Sequence, residues 1–568
     1  METLLREILK PFHRTAFLAG SGISITAPTN FSSGQQFTQQ LLKTISPNTL
    51  CLKRLLELSA SAPDVNSAEK PFIRFENILL QIANLYDFDL DLLDYFSDSK
   101  PNQNHYFLAK AIGEGHPVLT TNFDLEIEHA CEEIASDFER IITDNELQCL
   151  MDNMDPKAYS KTKGSLSESG MLFKIHGSLD NKESLCATLI QIGKLGYRWT
   201  RAPHRAMLLD HIFSHYPVIV FGYSGLDDFD INPVLEQIKE PKPLIWVNHE
   251  DNIEPTLENI KAMYTAPDIL RRFLKTSYRH SDIHLVQGDT GKFLTKLSNV
   301  LNLPIETKRA TYPNPKVLHK RNLSDYLNSW AIHHGLNEIG RKRVLCASLF
   351  ASVDMFDFAK ETITDDAIEM TITDLGHREN ILGSEAFRTG DWSSASSHFR
   401  MGFGIFSSIG DALNCSVMLN NLGNTAINQG RIEEAKQFYE ASLDMRLHSE
   451  NPRGVFAPLA GLATVSGREG NLNARKYFLS LALNASIEEG ELDVEAKLSM
   501  LLEVEYKADT QQDIKILLND WRGLLQHLSK GLSLGWSYQL EATDRYVEVA
   551  NRRNKQIHDA QSSIPKGL

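Results

Sequence analysis

Short apolar runs ending in glycine or asparagine recur through the first half of the chain: TAFLAG (15–20), PVLTTN (117–122), LFKIHG (172–177), PVIVFG (217–222), PLIWVN (243–248) and IHLVQG (283–288). Between them lie stretches with helical spacing, such as FENILLQIANLY and HYFLAKAI. Strand, polar turn and helix in alternation predict a parallel sheet wrapped by helices. Ligands of such sheets bind beyond the carboxyl ends of the strands, so the residues that follow each run are where chemistry is to be sought.

After residue 322 the strand-like runs stop and a helical repeat begins. Gly390, Gly430 and Gly470 stand forty residues apart, in TGDWSSASSHF, QGRIEEAKQFY and EGNLNARKYF. Upstream, the same interval separates Leu382, Leu422 and Leu462, then Gly383, Gly423 and Ala463, then Ala386, Ala426 and Ser466. Small residues where helices cross, a turn glycine, then an alanine and an aromatic describe stacked helical hairpins. The pattern resembles tetratricopeptide repeats in a lengthened form. DMFDFA (354–359) reads as an earlier, degenerate copy, and the stretch after 500 as a worn cap. Between the halves, LPIETKRATYPNPKVLHKRN carries three prolines and five basic residues against one glutamate, which predicts a linker. The chain thus divides into an α/β domain over 1–302, a linker over 303–322 and an all-α repeat domain over 323–568.

A chain of 568 residues exceeds a single hydrophobic core, in keeping with a domain size of roughly 150 residues. The net charge of −15 argues against a nucleic-acid partner held by backbone electrostatics. No apolar run is long enough to span a membrane, and the start, METLLREILKPFH, lacks a signal-peptide core, so a cytoplasmic protein is expected. The six cysteines are scattered without a C-x-x-C, which fits buried thiols in a reducing compartment better than a disulfide or zinc framework.

The strand ends carry the candidate chemistry. In chain order they read Gly20-Ser21-Gly22-Ile23-Ser24, Thr120-Thr121-Asn122-Phe123-Asp124, His176-Gly177, Gly222-Tyr223-Ser224, Asn248 and Gly288-Asp289. The first supplies two glycines of a G-x-G-x-x-G turn, with Ile25 at the third position. Gly20 and Gly22 would let backbone approach a pyrophosphate, whose oxygens the hydroxyls of Ser21 and Ser24 could bond. A polar pair after a buried strand, as Asn122 and Asp124 are, binds something or caps the next helix. Asp124 also reads as the N-cap of LEIEHACEEI, and the two roles are compatible. His176 is one of 19 histidines, distinguished by ending LFKI before Gly177. Its imidazole could take a proton near neutral pH.

Two other patterns fail on inspection. GYSGL (222–226) has Leu226 where a G-x-S-x-G nucleophile elbow needs glycine. His211 and His215 have helical spacing but lack the glutamate of H-E-x-x-H and an evident third ligand, so no metal is expected.

Taken in this order, the strand ends resemble the sirtuin family, over roughly residues 12–300. That family shows a GAG-x-S turn, a T-Q-N-I-D strand end, a catalytic H-G, a G-T-S turn, an I-N near the ribose and a late G-D near the adenine. The resemblance implies NAD as the substrate. It implies Asn122 on the nicotinamide-side ribose, orienting a water, with Asp124 near the carboxamide and His176 as the base. Gly20, Ser21, Gly22, Ser24, Thr121, Gly222, Ser224, Asn248 and Asp289 would form the rest of the binding set. The nicotinamide leaving group is activated by its cationic ring nitrogen, so the site needs positioning more than strong acid catalysis.

The chain departs from the protein deacylases of that family. Their turn continues G-I-P-D-F-R and a four-cysteine zinc module follows the H-G. Here the loop is Ala27-Pro28-Thr29-Asn30-Phe31, and Cys186 is the one cysteine between His176 and Gly222. The pattern is closer to the sirtuin-like domains of bacterial anti-phage proteins, which hydrolyse NAD to nicotinamide and ADP-ribose and are often fused to helical repeats. The resemblance therefore implies an NAD glycohydrolase gated by its repeats, a homo-oligomer, and an activating protein on the repeat surface. The alternatives are a deacylase or ADP-ribosyltransferase, and a non-catalytic NAD or ADP-ribose sensor.

Overall fold

The computed structural model describes residues 1–59, 71–97, 99–153, 170–188, 203–225, 231–235, 240–260, 282–303, 322–364, 369–449 and 454–489, with positions 238 and 270. Most of the expected linker and the stretch after 500 lie outside the described residues. The chain forms two compact units. One contains Met1–Gln40, Asp89–Ala187 and the described part of Leu195–Leu327. The other contains Leu41–Phe88 and the described part of Asn328–Leu568.

The first unit is built on an eight-stranded sheet of order β3-β4-β2-β1-β5-β6-β8-β7. Its strands are β1 (Ala16–Ala19), β2 (Val118–Thr120), β3 (Phe138–Ile141), β4 (Gly170–Lys174), β5 (Val218–Phe221), β6 (Leu244–His249), β7 (Thr256–Asn259) and β8 (Ile283–Gly288). Every neighbouring pair is parallel except β7 with β8. All six expected strands form; β3 and β7 are additions at the two edges. Both are half polar, as edge strands tend to be.

The apolar runs are continuous because both faces of the sheet are covered. Leu18, Phe173 and Val220 point into a core with Leu208, Leu209 and Ile212 of helix Pro203–His215. Phe17, Leu172 and Ile219 point the other way, against Phe107 and Leu108 of helix Gln103–Gly113 and Phe293 and Leu294 of helix Thr290–Leu301. Ala19 stands opposite Thr120 on one side and Phe221 on the other, so β1, β2 and β5 end level. From β1 the chain runs to β2 on one side and β5 lies on the other. Their carboxyl ends therefore flank a topological switch point, where such sheets bind ligands.

Among the described residues the elements of the second unit are all helices. Helices Ile372–Thr389 and Trp392–Ser408, Ala412–Asn428 and Ile432–Leu447, and Phe456–Arg468 and Leu472–Glu489 make successive hairpins. The turn glycines Gly390, Gly430 and Gly470 have φ of 83°, 76° and 79°, the left-handed conformation that stops each first helix. Small residues inside the helices admit an aromatic ring. A Cβ on Gly423 would lie 2.6 Å from the ring of Tyr439, which also sits against Gly461 of the next hairpin. DMFDFA behaves as a further copy: Asp354 adopts φ 62° where the others have glycine, and Ala359, like Ala395 and Ala435, is wholly buried.

Residues 41–88 belong to this helical unit although they fall inside the first half of the sequence. Helix Phe75–Leu85 packs on helix Ile339–Ala351, and Ile78, Leu79 and Ile82 are buried. Beyond its end, the Tyr86 hydroxyl donates to Asp374 at 2.9 Å and Trp330 Nε1 donates to Asp87 at 2.8 Å. A chain cut after residue 302 removes those partners, and each apolar side chain exposed costs about 1.5–3 kcal/mol. Residues 1–302 alone are expected to aggregate or to lose cooperative thermal unfolding. A monodisperse fragment melting like the full chain would show that 41–88 does not depend on the later helices.

Candidate active site

The turn after β1 crosses the turn after β5 backbone to backbone. Gly20 N–H donates to the Phe221 carbonyl at 3.2 Å and Gly22 N–H to the Gly222 carbonyl at 2.8 Å. A Cβ on Gly20 would lie 2.6 Å from that same carbonyl oxygen, and one on Gly22 would lie 2.7 Å from Gly222 Cα. Gly222 itself has φ 65°. The glycines are thus required by the crossing, and the amides of Gly20 and Gly22 are already bonded within the protein. Ser21 to Ser24 form a short 3₁₀ turn that leaves Ser21 exposed and buries Ser24.

Ser24 is the hub of a buried polar cluster. Its hydroxyl donates to Asp124 Oδ2 at 3.0 Å and accepts from Asn122 Nδ2 at 3.2 Å. His105 Nε2 lies 3.1 Å from the same oxygen. His105 Nδ1 accepts the Asn102 N–H at 3.0 Å, so Nε2 carries the proton and donates to Ser24. Burial holds His105 down to about 3, which keeps it neutral. Asp124 also accepts from Asn122 Nδ2, through Oδ2 at 3.2 Å, and from the Glu126 N–H, through Oδ1 at 3.1 Å. The N-cap of helix Glu126–Glu133 is Leu125 rather than Asp124 as expected; Asp124, one residue earlier, still meets the first amide of that helix while it joins the cluster. Burial raises the Asp124 pKa, against the opposing pull of the Lys174 ammonium and these hydrogen bonds.

Sequence reasoning missed His105 and Asn102. Asn102 caps helix Gln103–Gly113 in a reciprocal box with His105. Its Nδ2 also donates to the Ile23 carbonyl at 2.8 Å, and Asn104 Nδ2 to the same carbonyl at 2.9 Å. The signal was present: an asparagine three residues ahead of the histidine that opens HYFLAKAI has capping-box spacing. Thr29 Oγ1, donating to the Lys100 carbonyl at 2.6 Å, ties down the loop that follows the glycine turn.

His176 stands just past β4, buried, its ring 6.4 Å from that of Phe123. Its carbonyl accepts the Cys186 N–H at 2.9 Å. Gly177, with φ 83°, lets that returning segment close in, since a Cβ there would overlap the Ser184 carbonyl. Thr121 donates its N–H to the Ala19 carbonyl at 3.1 Å. Ser224 and Asn248 are exposed past β5 and at the end of β6. Asp289 caps helix Thr290–Leu301. Its two oxygens accept the N–H groups of Lys292 at 3.0 Å and Asn252 at 3.2 Å, and the first of these bonds chiefly holds its pKa down.

Asn122 Oδ1 is the acceptor that this cluster leaves open. The residue is 6% exposed, and this oxygen has no hydrogen-bond partner among the described residues. A buried acceptor left unmet costs about 1–3 kcal/mol, a cost that a ligand bringing a hydroxyl donor would remove. His211 and His215 stack at 4.4 Å within helix Pro203–His215. All six cysteines are free thiols, and Cys149 alone of them is exposed.

Residues 116–266 match the SIR2-like domain family. The matched stretch contains Asn122, Asp124, His176, Gly222, Ser224 and Asn248, and it begins after the β1 turn and His105. SIR2-like domains are commonly NAD-utilising enzymes, which supports an NAD-related function for the sheet unit. No curated protein matches the chain. Among the described residues no helix is long and apolar enough to cross a membrane.

The neutral, buried His105 makes stability depend on pH. Between its ordinary value of 6.5 and about 3 the unfolded chain binds a proton that the folded chain refuses, so stability falls as pH drops through that window. His105→Gln removes this contribution. Denaturant titrations at pH 7 and pH 5 are expected to show a smaller acid loss for the variant; equal losses would mean that His105 is protonated in the fold.

Proposed function

We propose that the sheet unit is an NAD glycohydrolase, converting NAD and water to nicotinamide, ADP-ribose and a proton. The observation that carries this reading is the unmet Asn122 Oδ1 at the switch point, one strand away from His176. When bound, NAD supplies a cationic pyridinium that is already a good leaving group. Asn122 Oδ1 accepts a ribose hydroxyl and helps to orient the attacking water. His176 takes the proton released as that water adds. Ser24 and Asp124 hold the Asn122 amide, and their hydrogen bonds leave its oxygen for substrate. Ser21, Thr121, Ser224, Asn248 and Asp289 lie along the same carboxyl edge, where the rest of a dinucleotide would run; the glycine turns set the floor. The mechanism uses no metal.

The helical hairpins are, in this reading, a tetratricopeptide-like receiver for an activating protein. The whole chain is then a cytoplasmic, homo-oligomeric defence effector that depletes NAD on phage infection. A partner that shifts a resting population from about 1:99 to 99:1 must favour the active state by roughly 5.5 kcal/mol, which a protein interface can supply.

Asn122→Ala and His176→Ala are each expected to lower NAD turnover by about 10² to 10⁴-fold with little change in thermal melting. Chromatography of the wild-type reaction is expected to give nicotinamide and free ADP-ribose in equal amounts. ADP-ribose attached to protein would make the enzyme a transferase, and unconsumed NAD in the presence of activator would leave a sensor.

A further inference from the structure

Lys174, the last residue of β4, has a wholly buried side chain. A buried ammonium is tolerated when each of its three N–H donors is met. Its Nζ donates to the Phe123 carbonyl at 3.3 Å, to the Asp124 carbonyl, and to Glu128 Oε1 at 2.9 Å. Two of these acceptors are the backbone of the loop that carries Asn122 and Asp124. The third leads on: Glu128 Oε1 also accepts from Arg140 of β3 at 3.3 Å, and the other Arg140 nitrogen pairs with Asp180 at 2.8 Å. Lys174 precedes the His176–Gly177 turn and Asp180 follows it. The alternating charges therefore grip that turn on both sides and fasten it to the Asn122 loop.

We propose that Lys174, Glu128, Arg140 and Asp180 form a positioning clamp that sets His176 in register with Asn122. None of the four touches the reacting atoms. The clamp spans β4, helix Glu126–Glu133, β3 and the loop after β4, so it ties together elements that carry the two candidate catalytic side chains. Its charges meet in opposite pairs; its effect on His176 is geometric, while at Asp124 the Lys174 ammonium also opposes the rise in pKa that burial imposes. The catalytic consequence rests on the NAD glycohydrolase reading; the geometric one does not. A displacement of about 1 Å between reacting groups lowers a rate on the order of 10²-fold.

The test uses the full chain with Lys174→Met and, at the half-exposed end of the clamp, Asp180→Asn. Hydrogen–deuterium exchange without NAD is expected to quicken in segments 121–125 and 175–181 of both variants, with helix Thr290–Leu301 unchanged. For NAD cleavage, kcat is expected to fall about 10²-fold in Lys174→Met and less in Asp180→Asn, while KM stays within about twofold. Unchanged exchange in both segments, or a rise spread over the whole sheet, would overturn the clamp. So would a kcat per folded molecule equal to wild type. If Lys174→Met does not fold, Asp180→Asn decides alone. If wild type cleaves no NAD even in the presence of activator, the enzymatic reading fails while the exchange result still decides the clamp.

Discussion

The crossing of two backbone turns, Gly20–Gly22 after β1 and Gly222 after β5, is the constraint on which the site depends. A side chain at either Gly20 or Gly22 would drive into the Gly222 backbone at 2.6–2.7 Å. Because the turns touch, the chain leaving β1 bends at once into the 3₁₀ turn, and Ser24 arrives beneath the end of β2. The glycines that read as a phosphate cradle are thus first a packing requirement of the sheet. What they position is the polar cluster beside them.

That cluster is stable because its donors and acceptors are matched almost completely. His105 is neutral with a fixed tautomer, Ser24 donates its hydroxyl hydrogen bond to Asp124, and Asp124 accepts through both oxygens. In a low-dielectric interior each unmet polar atom is costly, so such networks admit few exceptions. The exception here is Asn122 Oδ1. In the proposed reading, that uncompensated acceptor is where a substrate group completes the network.

The sheet was legible in the sequence because its central strands are buried on both faces and read as unbroken apolar runs. Edge strands β3 and β7 carry FERI and TLEN, with polar side chains outward, and give no such signal. The repeat was legible to the residue, since left-handed turns demand glycine at a fixed interval; Asp354 escaped that test because it adopts the turn without being glycine. The place of residues 41–88 was not legible. Their helices have ordinary local patterns, and their membership in the helical unit depends on partners such as Trp330 and Asp374, far along the chain. Of the site, Asn122, Asp124 and Ser24 were found as strand ends and do cluster. His105 lies within a helix; the asparagine three residues before it marks the helix start, but only the fold brings its ring to Ser24. Asp289 was found as a strand end, and its carboxylate caps the next helix.

The central claim is that a nucleotide sugar completes the Asn122 cluster at the switch point of the sheet. A crystal structure of the full chain grown with ADP-ribose tests it most directly. Ligand density beyond the ends of β1 and β5, with a ribose hydroxyl within hydrogen-bond distance of Asn122 Oδ1, is the predicted result. ADP-ribose bound elsewhere, with Asn122 Oδ1 met by a protein group instead, would contradict it.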